Sequence, residues 1–168
     1  IYFSTCSIYD SSKNGSFYVN HKLRMEQIVE ELANQFLILR VSNAVGKGGN
    51  PNLLMNYLVN AFHQEKEITV HTLDTRNLID ADDVKNITLK FINENSFNKI
   101  INVAYLENFS TIQILEILEK HFNKTAKTSL VKSGQSYLIS IPEAEAYFAE
   151  NKLTEKKEYL LRIIKRYY

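Results

Sequence analysis

The stretch Ser16-Phe17-Tyr18-Val19-Asn20-His21-Lys22-Leu23-Arg24-Met25-Glu26 reads as the opening of an amphipathic helix. Tyr18, Lys22 and Glu26 recur every four positions, so they fall along one face. A free phenol titrates near about 10 and is a poor base at neutral pH. A lysine cation one turn away favours the phenolate and lowers that pKa toward neutral pH. A tyrosine tuned in this way exchanges a proton with a hydroxyl or a carbonyl. The spacing alone favours a plainer account, a solvated lysine beside a half-buried tyrosine, because both residues are common on helices. The flanking sequence changes those odds.

Upstream, Ile1-Tyr2-Phe3-Ser4-Thr5-Cys6-Ser7-Ile8-Tyr9 reads as a strand over residues 1–9 that ends in a hydroxyl cluster. In an open α/β sheet, ligands sit beyond the carboxyl ends of the strands, where Ser4, Thr5 and Ser7 would lie. Asp10 to Gly15 is a turn cluster, and Ser16 is suited to cap the helix that follows. That helix is predicted over 17–34, with Val19, Leu23, Ile28, Val29 and Leu32 inward. Phe36-Leu37-Ile38-Leu39 is the near-continuous apolar run of a central parallel strand, breaking into Arg40-Val41-Ser42-Asn43-Ala44-Val45-Gly46.

Gly46 to Asn50 reads as a flexible connector and not as a phosphate cradle. Asn50 is expected to cap, with Pro51 opening, a helix reaching His63. An alternating strand follows at Ile68–Leu73. A helix over Asp80–Asn95 carries acidic residues in its first turn, where the helix dipole favours them. Lys99–Tyr105 is a further buried strand, and Ser110 begins a helix to Phe122. Residues 129–141 are expected to be extended, Pro142 opens a short helix, and a terminal helix over 154–168 ends in a basic run taken as solvated.

The chain has 168 residues, 45% hydrophobic and 23% charged, an ordinary globular balance. A net charge of +1 gives no nucleic-acid footprint. Cys6, the single cysteine, has no internal disulfide partner and fits a reducing compartment. No apolar run approaches the roughly 20 residues of a membrane span, so a cytoplasmic protein is expected. His21, His63, His71 and His121 have no metal-ligand spacing, and no metal is expected. The acidic Asp80, Asp82 and Asp83 are read as a helix opening, not a cation site.

Taken in order, four segments resemble the extended short-chain dehydrogenase/reductase family, the NAD-dependent epimerases and dehydratases. They are Ser4-Thr5-Cys6-Ser7-Ile8-Tyr9, Tyr18-x-x-x-Lys22, Arg40-x-x-Asn43, and Thr75-Arg76 through Asp83. The likeness runs from Ile1 to about Tyr105. It implies an α/β fold, the latter part of a Rossmann-like parallel sheet with helices, plus a small α/β substrate-binding region. It divides the chain into 1–46 with 76–105 for the nucleotide-binding part, and 47–75 with 106–168 for the substrate region.

The resemblance assigns roles. Tyr18 is the acid–base, Lys22 binds the nicotinamide ribose, and Thr5 bonds the reacting sugar oxygen, with Ser4 close to the cofactor. Asn43 and Arg76 contact the nucleotide-sugar substrate, while Arg40 and Asp83 are structural. It implies NAD or NADP as cofactor and a homodimer paired through the Tyr18–Lys22 helix. The five glycines form no strand–Gly-rich-turn–helix fingerprint, so the chain is expected to be the C-terminal part of a longer protein and inactive alone. Asp10 where the family has glycine, and the short Thr5–Tyr18 connection, point to an alternative: a non-catalytic dinucleotide-sensing module of the same fold.

Overall fold

Three parallel strands carry the site. The computed structural model describes residues 1–168. Strand β1 (Tyr2–Thr5) pairs in parallel with β2 (Leu37–Val41). Of the remaining strands, β3 (Asn43–Val45), β4 (Ile68–His71), β5 (Thr75–Arg76) and β6 (Leu78–Asp80) precede β7 (Lys99–Val103). Strand β7 lies parallel to β2 on the side away from β1. The register sets Thr5, Val41 and Val103 level, so the carboxyl ends of the three strands share one rim.

Short pairs extend the fold. β3 runs parallel to β6, β4 parallel to β9 (Thr128–Val131), and β5 antiparallel to β8 (Phe109–Ser110). Six α-helices pack around them: α1 (Phe17–Leu32), α2 (Leu54–His63), α3 (Ala81–Asn93), α4 (Thr111–Phe122), α5 (Pro142–Glu150) and α6 (Lys156–Tyr167). The expected α/β class with parallel pairing is the one observed. The core is continuous from Leu37, Leu39 and Ile101 of the sheet to Leu58, Ile87, Leu118 and Ile163 of the helices.

Local chemistry sets most helix starts. Ser16 Oγ accepts from the Val19 amide at 3.3 Å, and Asp80 from the Asp82 amide at 2.9 Å. Ser110 and Gln113 form a reciprocal capping box, satisfying two amides that a helix start leaves unpaired. Pro142 occupies the first turn of α5, where its missing N–H costs nothing.

Several expectations need correction. The first strand stops at Thr5 instead of Tyr9, because Thr5 Oγ1 accepts from the Ser7 amide at 3.1 Å and turns the chain into a 3-10 segment. Asn50 caps no helix. Its side chain accepts from the Asn52 amide at 2.9 Å in a local turn, and α2 begins only at Leu54, without a side-chain cap. The apolar stripe of α1 is not inward throughout: Val19 is buried, Leu23, Ile28 and Val29 are half-buried, and Leu32 is 79% exposed. Helix α1 packs chiefly on the edge strand β1.

The basic C-terminal run is also not simply solvated. Arg162 bonds Asp83, and Arg166 bonds Asp82. Both guanidinium groups also flank the fully buried Asp80 carboxylate, at 3.5 and 3.6 Å. Asp83 further accepts from Tyr147 and Tyr159, both at 2.8 Å, and Tyr167 donates to Asp80 at 2.7 Å. Burial raises the Tyr159 and Tyr167 phenols, with neighbouring carboxylates pushing the same way. Asp83 thus joins α3 to α5 and α6, in line with the structural role expected for it.

Candidate functional site

A cleft of about 510 Å³ opens at the carboxyl rim of β1 and β2. Thr5, at the end of β1, reaches it because its strand stops there. Its Oγ1 accepts from Ser7, and no hydrogen bond within the chain uses its proton. Tyr18 enters from the second residue of α1, half exposed at 52%, and makes no side-chain hydrogen bond within the chain. The Ser16 cap, which fixes where α1 begins, also fixes where on the helix Tyr18 projects.

Ser4 and Asn43 line the same cleft. Ser4 Oγ donates to Glu26, and Asn43 Nδ2 donates to the Asn77 carbonyl at 2.8 Å. Two further expected residues lie outside the lining. Lys22 Nζ donates to the Phe3 carbonyl at 2.8 Å and sits 5.0 Å from the centre of the Tyr2 ring. Arg76 pairs with Asp74 at 3.2 Å and donates to the Gln135 carbonyl, with its side chain 27% exposed. The structure therefore gathers Ser4, Thr5, Tyr18 and Asn43 and sets Lys22 and Arg76 apart from them.

Behind the cleft, Glu26 is a buried hub. Its carboxylate accepts from Ser4 Oγ and from Arg40 Nε and Nη2, the last at 2.6 Å. Arg40 Nη1 reaches Tyr9 Oη at 3.3 Å, and Tyr9 donates to Asn102 at 2.9 Å. The Glu26 carboxylate holds the Arg40 guanidinium protonated well above its ordinary range. Cys6 lies beneath, donating to the Arg40 carbonyl, and burial pushes its thiol up to about 12. This network ties α1, β1 and β2 together directly under Ser4 and Thr5.

Sequence reasoning missed Ser42, Asn56, Tyr137 and Tyr168 in the lining. Tyr168 Oη donates to Asn56 Oδ1 at 2.5 Å, and Asn56 Nδ2 donates to the Asn50 carbonyl at 3.0 Å, which anchors the Gly46–Pro51 loop. It also missed Asn77, buried at 3% exposure, which accepts from Ser42 Oγ at 2.9 Å and from the Tyr105 amide at 2.8 Å. Asn77, next to Arg76, and Ser42, next to Asn43, had a neighbouring signal in the residues already singled out. Tyr137 and Tyr168 come to the cleft through tertiary packing. No helix is long and apolar enough to cross a membrane.

No protein-family model matches the sequence, and no curated protein matches it. Solved structures do. UDP-glucuronic acid 4-epimerase from Bacillus cereus, in complex with UDP-glucuronic acid and NAD, is 21% identical with a TM-score of 0.71. The match covers 96% of this chain and 60% of that one. dTDP-glucose 4,6-dehydratase from Bacillus anthracis, in complex with NAD, is 17% identical at a TM-score of 0.71, covering 98% and 62%. UDP-N-acetylglucosamine 4-epimerase from Bacillus cereus is 15% identical at 0.65, covering 96% and 64%. These neighbours are extended short-chain dehydrogenase/reductase enzymes, and the chain has the fold of part of them, spanning less than two thirds of their length.

Proposed function

We propose that the protein acts as the latter part of an NAD- or NADP-dependent nucleotide-sugar epimerase or dehydratase of the extended short-chain dehydrogenase/reductase type. The observation that carries this reading is the meeting of Thr5 and Tyr18, from separate elements, in one cleft at the carboxyl rim of parallel strands. Tyr18 is the proton-transfer group at the sugar hydroxyl, and its unpaired Oη is available for that work. Thr5 donates its unused O–H to the same sugar oxygen. Asn43, in the same lining, contacts the sugar or its diphosphate, and Arg76 supplies a planar fork suited to phosphate oxygens.

The residues present fit a nicotinamide dinucleotide. An ammonium has three donors, and only Phe3 O takes one from Lys22, leaving two for ribose hydroxyls beside Tyr18. When bound, the nicotinamide would supply the hydride chemistry. Lys22, held in place by Phe3, orients the ribose. The free edge of β1 and the partly exposed apolar residues of α1, Phe17 and Leu32 among them, are suited to the remainder of a nucleotide-binding domain and to a second copy of the chain paired through α1. Residues 1–46 and 76–105 then belong to the nucleotide-binding part, and 47–75 and 106–168 to the substrate region.

Tyr18→Phe in the full-length polypeptide tests this. Turnover of a nucleotide sugar should fall by about 10²–10⁴-fold with binding retained, the range for loss of a general acid–base. Unchanged turnover would remove Tyr18 from the mechanism. Cofactor binding with no turnover by the unaltered protein would favour the dinucleotide-sensing module. The observation on that side is Asp10, buried at 5%, whose carboxylate bonds both Ser12 N and Oγ and tightens the Thr5–Tyr18 connection.

A further inference from the structure

Thr5, Ser7, Tyr18 and Tyr137 line the cleft with hydroxyls whose protons no hydrogen bond within the chain uses. The first three belong to β1, the turn that follows it and α1. Tyr137 comes from the other part of the chain. The residues that 47–75 and 106–168 bring to the lining carry three polar side chains, those of Asn56, Tyr137 and Tyr168. Asn56 gives its amide hydrogens to the Gly48 and Asn50 carbonyls, at 3.3 and 3.0 Å. Tyr168 gives its proton to Asn56 Oδ1. The side-chain donor that this region still has to offer a ligand is therefore the Tyr137 phenol.

The backbone around Tyr137 is pinned. The Thr75 amide donates to the Gln135 carbonyl at 3.1 Å, and the Gln135 amide to Asp74 Oδ1 at 2.6 Å. Arg76 Nη1 donates to the same Gln135 carbonyl, and Ser136 Oγ meets Thr75 Oγ1 at 2.7 Å. Asn108 Nδ2 donates to the carbonyl of Tyr137 itself at 2.7 Å. Gly134 passes so close to Asp74 that a Cβ there would collide with the Asp74 backbone. A side chain presented from backbone held in this way loses little freedom when a ligand meets it. Burial raises the Tyr137 phenol, and the Asp10 carboxylate pushes the same way, so the group keeps its proton at neutral pH. Arg76, read above as a phosphate contact, lies outside the lining, whereas Tyr137 shares the lining with Thr5 and Tyr18. Tyr137 is thus set to meet the sugar and not the diphosphate.

We propose, resting on the nucleotide-sugar reading above, that Tyr137 is a sugar-binding residue of this site. Its phenol donates a hydrogen bond to a ring hydroxyl from the substrate region, while Thr5 and Tyr18 hold the reacting oxygen. The test is Tyr137→Phe in the full-length protein with NAD present, titrated calorimetrically with UDP-glucose, dTDP-glucose, UDP and dTDP. Whichever sugar nucleotide binds the unaltered protein more tightly is compared with its own diphosphate. Phenylalanine keeps the ring and its packing and removes only the donor. Affinity for the sugar nucleotide should fall by about three- to tenfold, the range for one neutral hydrogen bond, with affinity for the diphosphate unchanged. An equal fall for both ligands, as a purely structural role would give, or no fall for either, overturns the proposal and leaves the nucleotide-sugar reading standing. If neither sugar nucleotide binds the unaltered protein more tightly than its diphosphate, that reading is overturned together with the proposal.

Discussion

Glu26→Gln is the perturbation whose cost the structure defines most closely. Three donors converge on the two Glu26 oxygens: Ser4 Oγ, Arg40 Nε at 3.0 and 3.2 Å, and Arg40 Nη2 at 2.6 Å. Glutamine keeps one acceptor oxygen and replaces the other by an NH₂. In either amide orientation, at least one of those donors then faces a donor. Removing one partner of a buried ion pair costs about 3–5 kcal/mol, mostly through the charge left behind. The Glu26 side chain is 4% exposed and that of Arg40 21%, so water reaches the orphaned guanidinium and the low end applies. A loss of about 3 kcal/mol corresponds to a fall in Tm of roughly 6–12 °C for a chain of this size. Urea unfolding followed by circular dichroism measures it. The double variant Glu26→Leu/Arg40→Met, which removes both charges, should be less destabilised than Glu26→Gln. A Glu26→Gln protein within about 0.5 kcal/mol of the parent would refute the assignment of Glu26 as the hub beneath Ser4 and Thr5.

Three other outcomes are expected. Burial pushes the Tyr105 and Tyr147 phenols up to about 12, and those of Tyr159 and Tyr167 are raised too. Unfolded phenols titrate at about 10, so stability should be intact below that pH and fall as pH rises past it, with the Tyr105 and Tyr147 share gone above about 12 and the Tyr159 and Tyr167 share still falling there. Thermal unfolding scans against pH check the onset, and an unaltered Tm across that window would contradict it. Gly46→Ala should destabilise by about 1–3 kcal/mol, because the new Cβ would lie 2.9 Å from Ala81 Cβ, and Ala81→Gly should recover most of the loss. Cys6, fully buried with its thiol raised to about 12, should stay unreacted with a thiol reagent at pH 8 until the protein is unfolded.

The elements that were legible share a cause: their signals are local. Leu37-Ile38-Leu39 is apolar at every position because both faces of a central parallel strand are covered, and all three side chains are fully buried. Ser16, Asp80, Ser110 and Pro142 announced helix starts because capping is chemistry between near neighbours. The two-residue strands β5 and β8 had no such signal. Each is too short for a period, and they exist because Thr75 and Arg76 meet Ser110 and Phe109 across the fold. Asn50-Pro51 misled because the same pair that opens a helix also makes an Asn turn, and the turn won by three residues.

The candidate site divides in the same way. Thr5 and Tyr18 were legible because a strand end and a helix start place their own residues. Tyr137 and Tyr168 were not, since they arrive in the lining from distant parts of the chain. Tyr168 is brought there by α6, and α6 is set by charges that looked solvated. Arg162 and Arg166 grip the acidic start of α3, and Asp80 at that start is also the end of β6, in register with Val45 of β3. The same β3 carries Asn43 into the cleft. A basic helix end and an acidic helix start, each unremarkable alone, thus become one clamp between the elements that bring Tyr168 and Asn43 to the cleft. Arg162→Met should therefore loosen the Asn43 and Tyr168 walls together while leaving Thr5 and Tyr18, which belong to the Glu26 hub, where they are.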